Sequence, residues 1–156
     1  MVIQINLFRV QGKMGIMSEV VFVNTIVFVR DITVSTKFYS ELLGLKIMNS
    51  YPTIVWFENN LAIHDAKALY DTVYKIDLPA PVPQQGKNNI DIYFECKDLK
   101  ELYNRLKQAD VEFIHHIEKQ AWEQKVIRFY DPDRHIVEIG EPFRVDFTSE
   151  KRTIRY

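Results

Sequence analysis

The sequence predicts an α+β fold: two βαβββ modules whose strands form a curved mixed sheet around a groove, with the helices on its outer face. Three observations lead there. Residues 24–47, NTIVFVRDITVSTKFYSELLGLKI, and residues 91–114, DIYFECKDLKELYNRLKQADVEFI, share one layout: a β-rich run, an aspartate, a helical pattern and a short strand. Hairpin patterns follow at matching places, VWFENNLAIHDA at 55–66 and IRFYDPDRHIVEIGEP at 127–142. Between the halves, Pro79, Pro81 and Pro83 with Gln84-Gln85-Gly86 mark a linker. The modules span 21–78 and 88–142, after an N-terminal extension at 1–20 and before a C-terminal tail at 143–156.

Alternation assigns a face to each strand residue. In the first strand Thr25, Val27 and Val29 turn to the helix layer, which leaves Asn24, Ile26 and Phe28 toward the groove. Asp31 is a helix N-cap, Val34, Phe38 and Leu42 recur at i, i+4, i+8, and Gly44 is the stop. The first hairpin turns at Asn59-Asn60. In the second module Ile92, Phe94 and Cys96 pack outward against the helix, while Asp91, Tyr93 and Glu95 look into the groove. Asp98 and Glu101 have capping-box spacing, and Leu99, Leu102, Tyr103 and Leu106 form the apolar stripe. The last strand sends Val137 and Ile139 one way and Ile136 and Glu138 the other, with its register set by the Asp131-Pro132-Asp133-Arg134 turn.

Composition narrows the function. A chain of 156 residues, 47% hydrophobic and 26% charged, is ordinary for one globular domain. A net charge of −1 gives neither the basic footprint of a nucleic-acid binder nor a polybasic membrane face. No apolar run approaches the ~20 residues of a membrane-spanning helix. Cys96 is the single cysteine, so no internal disulfide forms, which suits the cytoplasm. On the helix side of its strand it is expected to be an inert small hydrophobe. No glycine-rich phosphate loop, CxxC or Gly-x-Ser-x-Gly elbow occurs.

Overlaying the two hairpins on their final strands sets Leu61-Ala62-Ile63-His64 against His135-Ile136-Val137-Glu138. His64 and Glu138 are then equivalent, as are Asn24 and Asp91, and the four polar groups are expected to converge in the groove. Of His115 and His116, neighbours in a strand, at most one can reach it. Trp122 sits in the polar loop EKQAWEQK, where a core role is hard to assign, and is expected to line a ligand site. Arg128 is expected on a solvated face, and Phe28, Trp56 and Phe129 in ordinary sheet packing.

With this twofold layout, FVRDITVSTKFYSELLGL and FYDPDRHIVEIGEP resemble the vicinal oxygen chelate superfamily of glyoxalases, bleomycin-resistance proteins and extradiol dioxygenases, over residues 21–142. The resemblance implies a divalent metal ion (Mn, Fe, Ni, Co or Zn) held by His64, Asp91 and Glu138, a small oxygenated substrate and a homodimer. Glu138 would also move the proton in a lyase or isomerase reaction. Asn24 and Asp91 stand where the superfamily often has histidine, which weakens such a site and disfavours dioxygenase chemistry. Asn24 then becomes a substrate contact. The alternative implied is a metal-free binding protein of the bleomycin-resistance type, with Tyr93 and Trp122 stacking on a drug or metabolite.

Overall fold

The structure is a computed structural model that describes residues 20–143. The readings for the N-terminal extension and the C-terminal tail fall outside the described residues, apart from residues 20 and 143 themselves. The first module runs β1 (Thr25–Val29), α1 (Ile32–Lys37, continued by a wide π turn, Phe38–Leu42), β2 (Ile47–Ser50), β3 (Ile54–Phe57) and β4 (Leu61–Asp65). A second helix, α2 (Ala66–Tyr74), follows, and the second module runs β5 (Asp91–Glu95), α3 (Leu99–Gln108), β6 (Phe113–Lys119), β7 (Lys125–Tyr130) and β8 (Ile136–Gly140).

The α+β class and the doubled βαβββ layout are those the sequence predicts. Each module keeps its own four-stranded mixed sheet, in the order β1-β4-β3-β2 and β5-β8-β7-β6. The first and last strands of each module run parallel, and the remaining pairs are antiparallel. Strands β1 and β5 each have one free edge among the described residues.

Local chemistry explains the elements. Asp31 Oδ1 accepts from the Thr33 and Val34 amides at 2.9 and 3.0 Å, and Asp98 Oδ1 accepts from the Glu101 amide at 2.9 Å. Helix α1 departs in part from its expected face. Phe38 is buried and Leu42 packs against the core as expected, but Val34 is 48% exposed, and Ser35 and Tyr39 are buried instead. The widened turn, closed by the Leu43 amide on the Phe38 carbonyl at 3.0 Å, slows the helix's rotation and turns two adjacent aromatic rings inward. Gly44 ends it at φ +81°, a left-handed conformation that only glycine adopts freely. Helix α2 was not foreseen. Its signal is Asp65, whose Oδ1 caps the Ala68 amide at 2.8 Å. Tyr70 of this helix meets Phe28 edge-on at 5.8 Å and covers part of the first sheet's outer side.

One continuous core takes in the helix-facing residues of both sheets: Val27, Val29, Val55, Phe57 and Ile63 from the first, Ile92, Ile127, Phe129, Val137 and Ile139 from the second. Leu99, Leu102 and Leu106 of α3 join it, and Phe38 reaches Phe129 across the seam at 6.2 Å between ring centres. Because the helix-facing sides share this core, the other side of each sheet is turned away from it.

The Asp131–Arg134 turn locks the modules together. Asp131 Oδ1 shapes the turn by accepting from the Asp133 and His135 amides at 2.9 and 2.8 Å. Its Oδ2 accepts from the Tyr39 hydroxyl at 2.9 Å and faces His135 Nδ1 at the same distance. Asp133 takes the Arg30 amide at 2.9 Å and its Nε at 3.0 Å. The linker is held too, by the Gly86 amide on the Asp133 carbonyl at 2.9 Å. Two nearly inaccessible carboxylates are thus satisfied by partners from both halves.

Candidate functional site

The outer side of the second sheet carries the densest polar chemistry. Strand β7 pairs with β8 so that Arg128 lies opposite Glu138, and β5 pairs with β8 so that Tyr93 lies beside Glu138. Since Ile127, Phe129, Val137 and Ile139 enter the core, the alternate residues Arg128 and Glu138 emerge on the far side. Glu138 is only 7% exposed, and a carboxylate so placed requires a cation. Arg128 provides it: Nη2 pairs with Glu138 Oε2, and Nε stands 3.9 Å from Asp91 Oδ2.

The same guanidinium fixes a histidine. Arg128 Nη1 lies 3.0 Å from His115 Nε2. A guanidinium only donates, so Nε2 is the accepting nitrogen of a neutral ring, and the proton sits on Nδ1, donated to the His116 carbonyl at 2.7 Å. His116 instead packs against Tyr103 and Phe113. Of the histidine pair, His115 is therefore the one on the site side. Asp91 holds its proton more tightly than an ordinary carboxyl, first because it is partly buried and then because Glu138 is close; Arg128 opposes both.

Beside the carboxylates stands an aromatic platform. The Tyr93 hydroxyl donates to Glu95 Oε1 at 3.0 Å and accepts from Gln124 Nε2 at 2.7 Å. Gln124 also donates to the Glu141 carbonyl at 2.6 Å, while its Oε1 accepts from Trp122 Nε1 at 2.8 Å. Partial burial pushes the Tyr93 hydroxyl up, with Gln124 pulling it down and Glu95 adding to the rise. Both rings stay accessible, Tyr93 at 47% and Trp122 at 44%, although hydrogen bonds fix them. Gly140 makes room: a Cβ there would stand 2.3 Å from Gln124 Nε2 and 3.2 Å from the Tyr93 hydroxyl.

Of the four residues expected to meet, the structure brings Asp91 and Glu138 together. His64 is on β4 in the other sheet, with Nδ1 3.0 Å from the Asp65 carbonyl. Asn24 lines a different cleft with Met48, Trp56 and the 58–60 turn. Among the described residues, no three of His, Cys, Asp or Glu gather to hold a metal ion. A divalent cation would also compete with Arg128 for the same two carboxylates. As arranged in one chain, these residues do not compose a metal centre.

Sequence reasoning missed Arg128 and Gln124. Arg128 was legible in principle, since its neighbours Ile127 and Phe129 are core residues and its cross-strand partner is an inward-placed acid. Gln124 carries no sequence signal; only its loop position, between Trp122 and the β7 start, brings it to Tyr93.

A family model for the glyoxalase-like domain matches residues 22–144. A protein of unknown function from Agrobacterium tumefaciens str. C58 is 40% identical, with a TM-score of 0.75 over 82% of this chain and 98% of its own. A lactoylglutathione lyase from Agrobacterium tumefaciens is 20% identical, with a TM-score of 0.57 over 78% and 92%. A genomically encoded fosfomycin resistance protein from Listeria monocytogenes is 18% identical, with a TM-score of 0.59 over 81% and 95%. The last two show a shared fold only, and no curated protein matches the chain. The doubled modules and the domain match across nearly all described residues agree: this chain belongs to the glyoxalase-like family, within the vicinal oxygen chelate superfamily.

Proposed function

We propose that this protein binds a planar, positively charged small molecule on the outer side of its second sheet, without a metal ion. The observation that carries this reading is Arg128, whose guanidinium already bridges Asp91 and Glu138 and stands where a metal would have to sit. Asp91 and Glu138 share that one guanidinium and Glu95 stands on the Tyr93 hydroxyl, so the surface is left with acidic character. Next to it, Trp122 and Tyr93 supply ring faces for cation–π contact and stacking. Asp91 and Glu138 anchor the ligand in this reading, rather than moving a proton. A metal-dependent lyase or isomerase is the runner-up; it requires Arg128 to yield and His64 to arrive from elsewhere.

A second copy belongs to the proposal. The apolar run Val20–Val23 is exposed and leads to the free edge of β1, and Ile26 on the outer side of the first sheet is 43% exposed. A homodimer that joins the two kinds of outer face would cover these residues.

Tryptophan fluorescence tests the reading. Planar aromatic cations are expected to quench the Trp122 signal and to lose that effect in Trp122→Phe, which leaves Trp56 as control. Planar anions of equal size should bind at least about tenfold more weakly. Equal binding of both charges, or tight binding of Mn²⁺, Ni²⁺ or Zn²⁺ to the chain purified without chelator, would overturn it.

A further inference from the structure

On the core side of β5, at the seam between the modules, lies a second cleft of about 470 Å³. Leu43 and Leu45 of the first module wall one side, and Phe94, Leu102 and Ile139 of the second wall the other. Its size falls in the range that holds small ligands. Asn59, Tyr93 and Glu95 also border it, and two further polar side chains matter to the argument, Cys96 and Arg105.

Arg105 of α3, whose side chain is 41% exposed, borders the cleft and is short of acceptors at its buried end. Its Nε is buried with no hydrogen-bond partner among the described residues, and Nη2 meets Glu101 Oε2 only at 4.0 Å. A buried donor without an acceptor is costly, and a guanidinium carries five donors in a fork shaped for a carboxylate. Glu95 also reaches the rim, but its Oε1 is engaged by the Tyr93 hydroxyl and the Phe143 amide. An anion entering here would bring its apolar body against the leucines and its charge to the unsatisfied arginine.

We infer that this seam cleft is a binding site for an aliphatic carboxylate of medium chain length, with Arg105 receiving the carboxylate. It adjoins the cation surface proposed above, with Tyr93 and Glu95 at the border of both, but Asp91, Trp122 and Glu138 do not line it, while Phe94, Cys96 and Arg105 do. Each module contributes a wall, so occupancy draws the two halves together.

Cys96, the single cysteine, lies in the cleft and reports on it without labelling elsewhere. The rate of N-ethylmaleimide addition, followed by intact mass on the full chain, is compared with decanoate, decan-1-ol or decyltrimethylammonium present. Decanoate is expected to slow alkylation about tenfold at concentrations where the other two do little, the scale of one charge-assisted hydrogen bond. Arg105→Leu, which keeps an apolar stem, should remove the protection, and Trp122→Phe should leave it intact. Equal protection by the alcohol, or undiminished protection in an Arg105→Leu chain with native circular dichroism, would overturn the assignment. The three-ligand comparison on the unaltered protein decides the question by itself if that variant does not fold.

Discussion

Arg128 holds two carboxylates at once, and its removal should be felt as a charge problem before a packing one. Arg128→Met keeps a similar stem but leaves Glu138 nearly buried with no cation. The expected loss is about 2–4 kcal/mol in urea unfolding near neutral pH, the scale for breaking a buried ion pair. Removing Asp91 acts in the opposite sense. Its folded-state affinity for protons is raised, so the native state binds more protons than the unfolded chain just above the ordinary carboxyl range. Its contribution therefore falls as pH rises through that window. Asp91→Asn should stabilise the protein slightly at neutral pH, by under about 1 kcal/mol for so exposed a group, and the gain should vanish below the ordinary aspartate range. Thermal melts across pH read this directly. At this scale the sequence was legible where alternation alone decides: the faces of Asp91, Tyr93 and Glu138 follow from period two. It was not legible for His64, whose equivalence to Glu138 concerns position within a module and says nothing about how the modules are packed.

Among the elements, the 131–134 turn has more to do than set a register. It is a clasp: Arg30 and Tyr39 reach it from the first module, and Gly86 reaches it from the linker. Gly86 has no space for a side chain, since a Cβ would lie 2.2 Å from the Arg134 carbonyl carbon and oxygen, both backbone atoms that cannot swing aside. Gly86→Ala should cost about 2–3 kcal/mol by forcing the linker off the turn, measured by chemical denaturation. Tyr39→Phe removes one hydrogen bond from a buried carboxylate and should cost about 1–2 kcal/mol. The strands, both N-caps and the Gly44 stop were readable because each rests on neighbours in sequence. Phe38 was readable from its i, i+4 spacing, but the burial of Tyr39 beside it was not, because a π turn leaves no periodic mark. Helix α2 was missed since the nine residues Ala66–Tyr74 hold aromatic and β-branched residues that also suit a strand or loop.

For the whole molecule, the shared core settles which surfaces face out, and the doubled pattern does not reveal it. Two modules with one groove-facing side each can close over a common trough or stand with those sides apart, and the same alternation serves both. Phe38 against Phe129 and Tyr39 against Asp131 select the second arrangement within one chain. The outward sides then carry different chemistry: amides and Trp56 near Asn24 on the first, acids, a guanidinium and two rings on the second. Substitutions on opposite walls of such a body share no partners, so in the monomer their energetic effects should simply sum. Two like modules packed this way hand selection two unlinked canvases. Retouching one leaves the other's picture intact, until a neighbouring molecule brings them face to face.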